Sequence, residues 1–278
     1  MFDGTIESVH NERLKTWMKL KTAKGRKAAG AFLVEGPHLV QEALGASAVT
    51  DVMIGERALE AAWAAPLLEQ VEALRTTSRL RASGQRPPLL WRLSAAAAGR
   101  LAETESPQAV YAVVRRPDAR AVLEGALSSA HSALILDAVQ DPGNVGTLIR
   151  SADAFGVGFV LVGTGSADPW SGKVLRSAQG AHFHLPIAHL PLPSALAALR
   201  RAGYALYAAA PRGPLDIEAA PKAERRALIV GNEGRGLTDD VLAFADYVVR
   251  IDIPGRAESL NVAVAASIAL YVLSRKKG

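Results

Sequence analysis

The chain reads ALIVGNEGRGL over residues 227–237, an apolar strand pattern that runs directly into three closely spaced glycines. Similar short apolar runs recur through the second half of the chain and alternate with helical patterns. The predicted strands are 133–136, 158–162, 183–187, 204–209, 227–230 and 247–251. This alternation predicts an α/β fold with a mostly parallel sheet covered by helices on both faces. Ligands of such sheets bind beyond the carboxyl ends of the strands, so the loops after the strands are the candidate functional segments.

The first half of the chain predicts a second, smaller α/β domain. Its strand patterns lie at 31–34, 51–54, 89–93 and 110–114, with helical patterns between them. A charged stretch rich in alanine and serine follows, with a helical pattern inside it. We therefore predict a domain over 1–116, a connection over 117–131 and a domain over 132–278.

Composition limits the class of protein. The chain has 278 residues, of which 49% are hydrophobic and 21% are charged, as in a globular protein. It has no cysteine, which excludes disulfides and thiolate zinc sites and fits a reducing compartment. The start of the chain lacks the pattern of a secretory signal, and the most apolar stretch, 259–273, is shorter than a membrane span. We therefore expect a soluble, cytoplasmic protein.

Basic residues are concentrated near the start of the chain. The net charge is +5, and the first 31 residues hold seven lysines and arginines against three acidic residues. This excess permits a polyanionic partner, and Lys15, Arg26 and Lys27 are candidate contacts to an RNA backbone. A solvated helix face explains the same charge run equally well.

The first motif, DPGNVGTLIRSA over 141–152, follows the strand predicted at 133–136. Asp-Pro-Gly favours a turn, and Asn144 is a candidate cap for the helix that follows it. Arg150 lies further along that helix, and a helix N-terminus with a nearby arginine can bind an anion. Taken alone, the motif fits a capped helix with a surface arginine better than it fits a site.

The second motif is the glycine-rich loop of 231–236, GNEGRG. Its spacing is not that of the dinucleotide fingerprint, and the lysine of a phosphate-binding loop is missing. The loop therefore favours a neutral or cationic ligand held by backbone groups.

The third motif, IPGRAESLNVAVA over 253–265, turns the chain into a last helix predicted over 260–274. Ser259 is a candidate cap, which places Asn261 in the first turn of an otherwise apolar helix. A buried asparagine needs partners, so Asn261 either bonds to a neighbouring loop or points at a ligand.

Together the three motifs resemble those of the SpoU (TrmH-type) RNA ribose methyltransferases of the SPOUT superfamily, and they occur in the same order. The resemblance extends to 176–181, to FLVEG at 32–36 and to PQ at 107–108, so it covers nearly the whole chain. It departs at Gly255, where many members have methionine.

This resemblance implies an enzyme that transfers a methyl group from S-adenosylmethionine to a ribose 2′-hydroxyl, with rRNA as substrate and no metal. It further implies a trefoil knot, a homodimer and an N-terminal domain that binds RNA. The implied cofactor contacts are Gly231, Asn232, Gly234, Ile251, Ile253, Leu260 and Asn261. The implied catalytic residues are Asn144, Arg150, Glu233 and Asn261. The implied RNA contacts are Lys15, Arg26, Lys27 and Arg176.

The proposed role of Arg150 follows from its chemistry. Arginine hardly ever loses its proton in proteins, which makes it a poor general base. We therefore expect Arg150 to hold a phosphate or the developing oxyanion, while the proton leaves through a neighbour or water.

Alternative functions differ in what they require. A catalytically inactive RNA-binding protein of the same fold has no need to keep Asn144, Arg150, Glu233 and Asn261 together. A tRNA substrate is disfavoured because the additional N-terminal domain resembles the substrate-binding domain that several rRNA-modifying members carry. A nucleotide-dependent oxidoreductase lacks its fingerprint here. His182 and His184 alternate on a predicted strand without a third ligand, so we predict no metal site.

Overall fold

A computed structural model describes residues 2–46, 48–80 and 86–275. The chain divides into two compact units. The first comprises Met1–Arg116 and Trp170–Arg176, and the second comprises Pro117–Pro169 and Ser177–Gly278.

The first unit is built on a five-stranded mixed sheet. Its strands are β1 (Gly4–Ile6), β2 (Ala31–Glu35), β3 (Val49–Gly55), β4 (Leu89–Leu93) and β5 (Val110–Arg115). Its helices are α1 (Glu12–Lys19), α2 (Ala23–Ala29), α3 (Pro37–Gly45), α4 (Ala64–Leu80) and α5 (Ala95–Leu101), with a short 3₁₀ turn at Glu56–Glu60. The strand order is β1-β4-β3-β5-β2, in which β5 runs antiparallel to both of its neighbours.

The core of the first unit explains why α1 forms where it does. Asn11 caps α1 by accepting hydrogen bonds from two backbone N–H groups of the first turn. Leu14 and Trp17 on one face of α1 are buried against the sheet and α5. Trp17 also packs edge-on against Trp91 of β4, so it contributes to the core.

The segment Trp170–Arg176 belongs to the first unit although it lies between strands of the second in sequence. Trp170 is buried and packs against Phe32 of β2, with ring centroids 4.8 Å apart. Contact between large aromatic rings accounts for this placement, which the predicted domain bounds of 132–278 did not anticipate.

The second unit is built on a seven-stranded sheet in which every pairing is parallel. Its strands are β6 (Ser132–Leu136), β7 (Phe159–Gly163), β8 (Ile187–Leu190), β9 (Ala205–Ala209), β10 (Leu215–Asp216), β11 (Arg226–Val230) and β12 (Tyr247–Arg250). Its helices are α6 (Ala119–Ser129), α7 (Pro142–Ala154), α9 (Leu192–Arg201), α10 (Asp239–Leu242) and α11 (Val262–Ser274), while α8 (Gly172–Ala178) lies across the division between the units. The order is β10-β12-β9-β11-β6-β7-β8, which confirms the predicted parallel α/β sheet. The trefoil knot stays a prediction.

One local prediction needs revision. The strand predicted over 183–187 is wrong: Ala181–Phe183 form a 3₁₀ turn, and β8 begins only at Ile187. Pro186 has no N–H to donate to a sheet, although its carbonyl accepts a hydrogen bond from Val160. The helical pattern predicted inside the connection 117–131 corresponds to helix α6, whose Ala126 is buried in the core of the second unit.

Candidate functional site

The motif loops of the second unit are neighbours because of the strand order. In a parallel sheet all carboxyl ends lie at one edge. The order β12-β9-β11-β6 therefore places the loops 251–261, 210–214, 231–237 and 137–141 side by side at that edge. The first, third and fourth of these loops lead into or contain the sequence motifs.

The loop after β6 ends in a helix cap that differs from the predicted one. Asp141, not Asn144, is the N-cap of α7, and its carboxylate accepts a 2.9 Å hydrogen bond from the backbone N–H of Asn144. Pro142 takes the first helical position, where its fixed φ and missing N–H cost nothing. The side chain of Asn144 is therefore free of the capping role and can contact another loop.

The loop after β11 closes on itself like a small hairpin. Asn232 and Gly236 exchange two backbone hydrogen bonds of 2.9 Å, and the Asn232 side-chain oxygen accepts from the backbone N–H groups of Gly234 and Arg235 at 3.0 Å. A side chain at Gly231 would meet the backbone of Gly236 within 2.5 Å, so the closure requires glycine there.

Two contacts fasten this loop to the end of β6. The Asn232 side chain donates a 2.9 Å hydrogen bond to the carbonyl of Ala138. Asp137, only 5% exposed, accepts from both the backbone N–H and the hydroxyl of Thr238, at 2.8 and 3.0 Å. Ala138 has a positive φ of 54°, a conformation that non-glycine residues rarely adopt and that often marks functional sites. Sequence reasoning missed Asp137 and Ala138, since neither belongs to a recognisable motif.

The turn before the last helix also differs from the prediction. Asn261, rather than Ser259, is the N-cap of α11, and its side-chain oxygen accepts from the backbone N–H groups of Ala263 and Val264 at 2.9 and 3.3 Å. The polar residue that sequence placed inside an apolar helix therefore lies at its start, where asparagine is favoured.

A chain of hydrogen bonds joins the three motifs. The Asn261 side-chain amide donates to the side-chain oxygen of Asn144 at 3.0 Å. The Asn144 amide in turn donates to the Glu233 carboxylate at 3.0 Å. Sequence reasoning named these three residues together, and in the structure Asn144 bonds directly to both Glu233 and Asn261. We call them the Glu233–Asn144–Asn261 relay.

Glu233 accepts more hydrogen bonds than the one from Asn144. The backbone N–H groups of Gln140 and Asp141 each donate to its carboxylate at 3.1 Å. Partial loss of solvent raises the pKa of Glu233, but the hydrogen bonds from the Asn144 side chain and from the backbone of Glu233, Asp141 and Gln140 together outweigh it and hold the pKa below its ordinary value. The carboxylate is therefore ionised at neutral pH and serves as an acceptor that ties two loops together.

Arg150 lies apart from the relay, on the exposed side of α7. Its guanidinium forms no hydrogen bond or ion pair with any residue of 2–46, 48–80 or 86–275. The neighbouring Ser151 hydroxyl lies 2.8 Å from that of Ser267, about two turns along α7 from Asn144. The Asn144–Asn261 and Ser151–Ser267 contacts thus hold α7 beside α11. Arg150, which precedes Ser151, carries an exposed and unpaired positive charge on α7.

The residues expected to line a cofactor lie on the loops after β11 and β12. Ile251, Ile253 and Leu260 are partly exposed apolar side chains, and the glycine loop brings backbone groups to the same edge. Apolar side chains, backbone polar groups and an ionised carboxylate fit a ligand that carries a positive charge and no phosphate. The chemistry of this set of residues therefore fits S-adenosylmethionine.

One neighbouring loop was not anticipated from the sequence. The loop 210–214 follows β9, between the loops after β11 and β12. Arg250 donates from its guanidinium to the carbonyls of Gly213 and Pro214, at 3.1 and 2.9 Å. Its place after a parallel strand was the signal that could have identified it.

Comparison with known proteins identifies the family. Residues 131–271 match the SpoU rRNA methylase family. The chain is 40% identical over 268 residues to the 23S rRNA (guanosine(2553)-2′-O)-methyltransferase RlmP of Bacillus subtilis, and the match covers 96% of this chain and 98% of that protein. The chain belongs to the SpoU rRNA methylase family. The predicted family, enzyme class and cofactor are thereby confirmed.

Other methyltransferases support the same assignment along nearly the whole chain. The 23S rRNA (uridine(2479)-2′-O)-methyltransferase of Streptomyces viridochromogenes is 32% identical over 280 residues, which cover 96% of this chain and 91% of that protein. The structure of the SpoU methyltransferase AviRb from that organism, in complex with AdoMet, superposes with a TM-score of 0.82 at 28% identity, covering 95% of this chain and 97% of that one. An AdoMet-bound rRNA methyltransferase from Sinorhizobium meliloti also gives 0.82, at 27% identity and with coverage of 97% and 96%.

The first half of this SpoU methylase matches a second family model. Residues 11–112 match the MRM3-like substrate binding domain. Of the predicted RNA contacts there, Lys15 and Lys27 are exposed, although Lys15 also contacts Glu12 at 2.7 Å. Arg176 pairs with Glu103 at 3.3 Å.

Arg26 does not suit the predicted RNA contact. It is only 5% exposed, and its guanidinium donates to the carbonyls of Leu20 and Lys21 at 2.9 and 3.1 Å. It thus satisfies carbonyl groups left without partners at the end of α1. The geometry gives Arg26 a structural role, and a phosphate has little access to it.

No helix among the described residues is long and apolar enough to cross a membrane. Within the same residues, no group of three or more histidine or acidic side chains is arranged to hold a metal ion. His182 lies on the 3₁₀ turn rather than on a strand, and burial lowers its pKa to about 4.

Proposed function

We propose that this SpoU methylase transfers the methyl group of S-adenosylmethionine to a ribose 2′-hydroxyl of 23S rRNA. The observation that carries the proposal is the Glu233–Asn144–Asn261 relay, which brings three motifs from distant parts of the sequence to one edge of the sheet. The 23S rRNA specificity of the relatives RlmP and the Streptomyces enzyme supports the substrate. Such an enzyme acts in the cytoplasm, where ribosomes are assembled.

The bound cofactor would supply an activated methyl group on a positively charged sulfur. Backbone groups of Gly231, Asn232 and Gly234 would hold it, with Ile251, Ile253 and Leu260 covering its apolar parts and Asn261 fixing the adjoining turn. The rigid closure of the loop after β11 preorganises this surface, which lowers the entropic cost of binding.

Within this site we assign different roles to the four predicted catalytic residues. Asn144, Glu233 and Asn261 already bond to one another and to loop backbone, so they act as positioning residues. Arg150 has a free guanidinium and is the group suited to contact the RNA phosphate or the developing oxyanion. Alignment of the 2′-oxygen with the methyl group accounts for much of the rate in this scheme. The lowered pKa of Glu233 disfavours it as the base that removes the proton.

The two parts of the chain have separate tasks in this proposal. Residues 1–116 bind the RNA substrate through exposed cations that include Lys15 and Lys27, and 132–278 carry out methyl transfer. The half-buried Arg176, which belongs to the same compact unit as 1–116, adds a further RNA contact. The connection 117–131 joins the two parts. The match of 11–112 to a substrate binding domain supports this division.

The active form in this proposal is a homodimer. Val264, Ile268 and Tyr271 on α11 are 49%, 38% and 49% exposed, and their spacing places them on one face of the helix. A continuous apolar stripe of this kind favours contact with another protein surface. A second copy of the chain presents the same stripe, so a dimer with its two-fold axis beside α11 buries the stripes of both copies.

The test combines binding with product mapping. Calorimetry with S-adenosylmethionine should show saturable binding by the full chain, and mass spectrometry of unmodified 23S rRNA incubated with enzyme and cofactor should locate one 2′-O-methylated nucleotide. A transcribed tRNA pool is the comparison substrate. Methylation of tRNA alone would contradict the rRNA assignment, and RNA binding without cofactor binding would identify an inactive member of the family.

A further inference from the structure

Arg235 lies on a turn of the site that several hydrogen bonds close. Its own backbone N–H donates to Asn232, and the bridge between Asn232 and Gly236 closes the loop on either side of it. The Asn232 side chain fastens the same turn to Ala138 after β6. Hydrogen bonds within the loop after β11, and from this loop to the end of β6, therefore fix the backbone position of Arg235.

The charge of Arg235 is not neutralised within its loop. Glu233, two residues earlier, turns its carboxylate toward Gln140, Asp141 and Asn144 and bonds to all three. Arg235 is exposed, and its guanidinium has no hydrogen bond or ion pair with any residue in the described part of the chain. An exposed and unpaired guanidinium is thus carried by the same hydrogen-bonded loop that supplies Glu233 to the relay.

A comparison with Arg256 shows what distinguishes this position. Arg256 is also exposed, on the loop after β12. Within the described residues, no backbone–backbone hydrogen bond is formed by 251–260, whereas the backbone around Arg235 makes several. A cation on a preorganised loop loses less entropy on binding than one on an unconstrained loop.

We infer that Arg235 is a phosphate-contacting residue that holds the RNA backbone at the rim of the methyl-transfer site. This inference rests on the proposed function. In RNA, a phosphodiester is attached to the ribose carbon next to the one that bears the 2′-hydroxyl. A site that aligns this hydroxyl must therefore also accommodate an anion nearby, and a planar guanidinium binds phosphate oxygens bidentately. Arg150 on α7 and Arg235 on the loop after β11 would then contact the backbone from two different elements.

The test compares Arg235→Gln and Arg235→Lys with a control, Arg201→Gln. Arg201 is exposed in the last turn of α9, just before β9 begins, and so lies toward the opposite edge of the same sheet. For each protein, kcat and KM for unmodified 23S rRNA are measured at several salt concentrations, the Kd for S-adenosylmethionine is measured by calorimetry, and Tm reports folding.

We expect Arg235→Gln to lower kcat/KM for the RNA by about tenfold, mainly through KM, because a charge-assisted hydrogen bond is lost. On a plot of log kcat/KM against log salt concentration, the slope should become shallower by about one unit, the value expected for one lost phosphate contact. Arg235→Lys should fall between wild type and Arg235→Gln, Arg201→Gln should match wild type, and all variants should bind S-adenosylmethionine normally.

Wild-type kcat/KM and salt slope in Arg235→Gln would overturn the inference. A parallel loss of cofactor affinity would also overturn it, because it would show that Arg235 supports the cofactor loop instead. Failure of the wild-type enzyme to methylate 23S rRNA is a different result, which contradicts the proposed function and not the role of Arg235 alone.

Discussion

The side-chain amide of Asn261 donates a 3.0 Å hydrogen bond to the side-chain oxygen of Asn144, a residue 117 positions earlier in the chain. Chemistry fixes the orientation of both amides from the two ends of the relay. Backbone N–H groups at the start of α11 require the oxygen of Asn261, and the ionised Glu233 requires the N–H₂ of Asn144. Neither amide can flip without placing like groups against each other, so the relay specifies a single arrangement of three loops.

Substitution of Asn261 tests whether this arrangement matters for catalysis. Asn261→Asp keeps a good helix cap but places an oxygen opposite the Asn144 oxygen, whereas Asn261→Ser keeps a cap but is too short to replace the amide donor to Asn144. We expect kcat/KM to fall by about two- to tenfold in Asn261→Ser, the value of one lost hydrogen bond, and further in Asn261→Asp because of repulsion. Steady-state methylation of 23S rRNA by wild type and both variants gives these kcat/KM values. Equal activity in all three proteins would show that the relay has no positioning role.

Glu233→Gln tests the carboxylate at the other end of the relay. A glutamine has one acceptor oxygen where the carboxylate has two, so it cannot accept from Gln140, Asp141 and Asn144 together. Glu233 lies at the surface, where solvent screens its interactions, and we expect the free energy of unfolding at pH 7 to fall by about 1 kcal/mol. Denaturant titration measures the change. Glu124→Gln, at an exposed position on α6, is the matched control.

The Glu233→Gln variant also tests how the contribution of Glu233 to stability depends on pH. The pKa of Glu233 is lower in the folded protein than its ordinary value of 4.5, so folding favours the ionised form. Its contribution to stability is complete above pH 4.5 and is lost as the pH falls through the lowered folded pKa. The difference in stability between wild type and Glu233→Gln should therefore be constant near neutral pH and shrink in acid. A difference that grows in acid would contradict the lowered pKa.

The sequence predicted the strands of the second unit better than the contacts between its loops. Apolar runs such as that of β11 identify strands directly because burial on both faces leaves few other options. The cap of α11 was misplaced by two residues, since Ser259 and Asn261 are both good caps and only the folded chain shows which is used. The role of Arg26 was also hidden, because a basic residue in a charge run gives no sign that it will be buried on helix carbonyls.

Arg150→Lys separates the geometry of the guanidinium from its charge. Lysine keeps the positive charge but loses the planar fork that binds two oxygens at once. If Arg150 stabilises charge during methyl transfer, kcat should fall by about 100-fold while the Kd for S-adenosylmethionine is unchanged. Single-turnover methylation and calorimetry measure the two quantities. Arg201→Lys makes the same chemical change at an exposed position on another helix and should keep wild-type kcat. A wild-type rate in Arg150→Lys would exclude the bidentate role.

Ile268→Glu tests the proposed homodimer. Ile268 lies in the centre of the exposed stripe on α11, between Val264 and Tyr271. In a dimer with two-fold symmetry the new carboxylates would be brought close to each other and to apolar surface, at a cost of several kcal/mol. Light scattering should show a dimer for wild type and a monomer of unchanged helix content for Ile268→Glu. Ser194→Glu places the same charge at an exposed position on α9 and should remain dimeric. A wild-type monomer, or a dimer that Ile268→Glu leaves intact, would show that this stripe is not the interface.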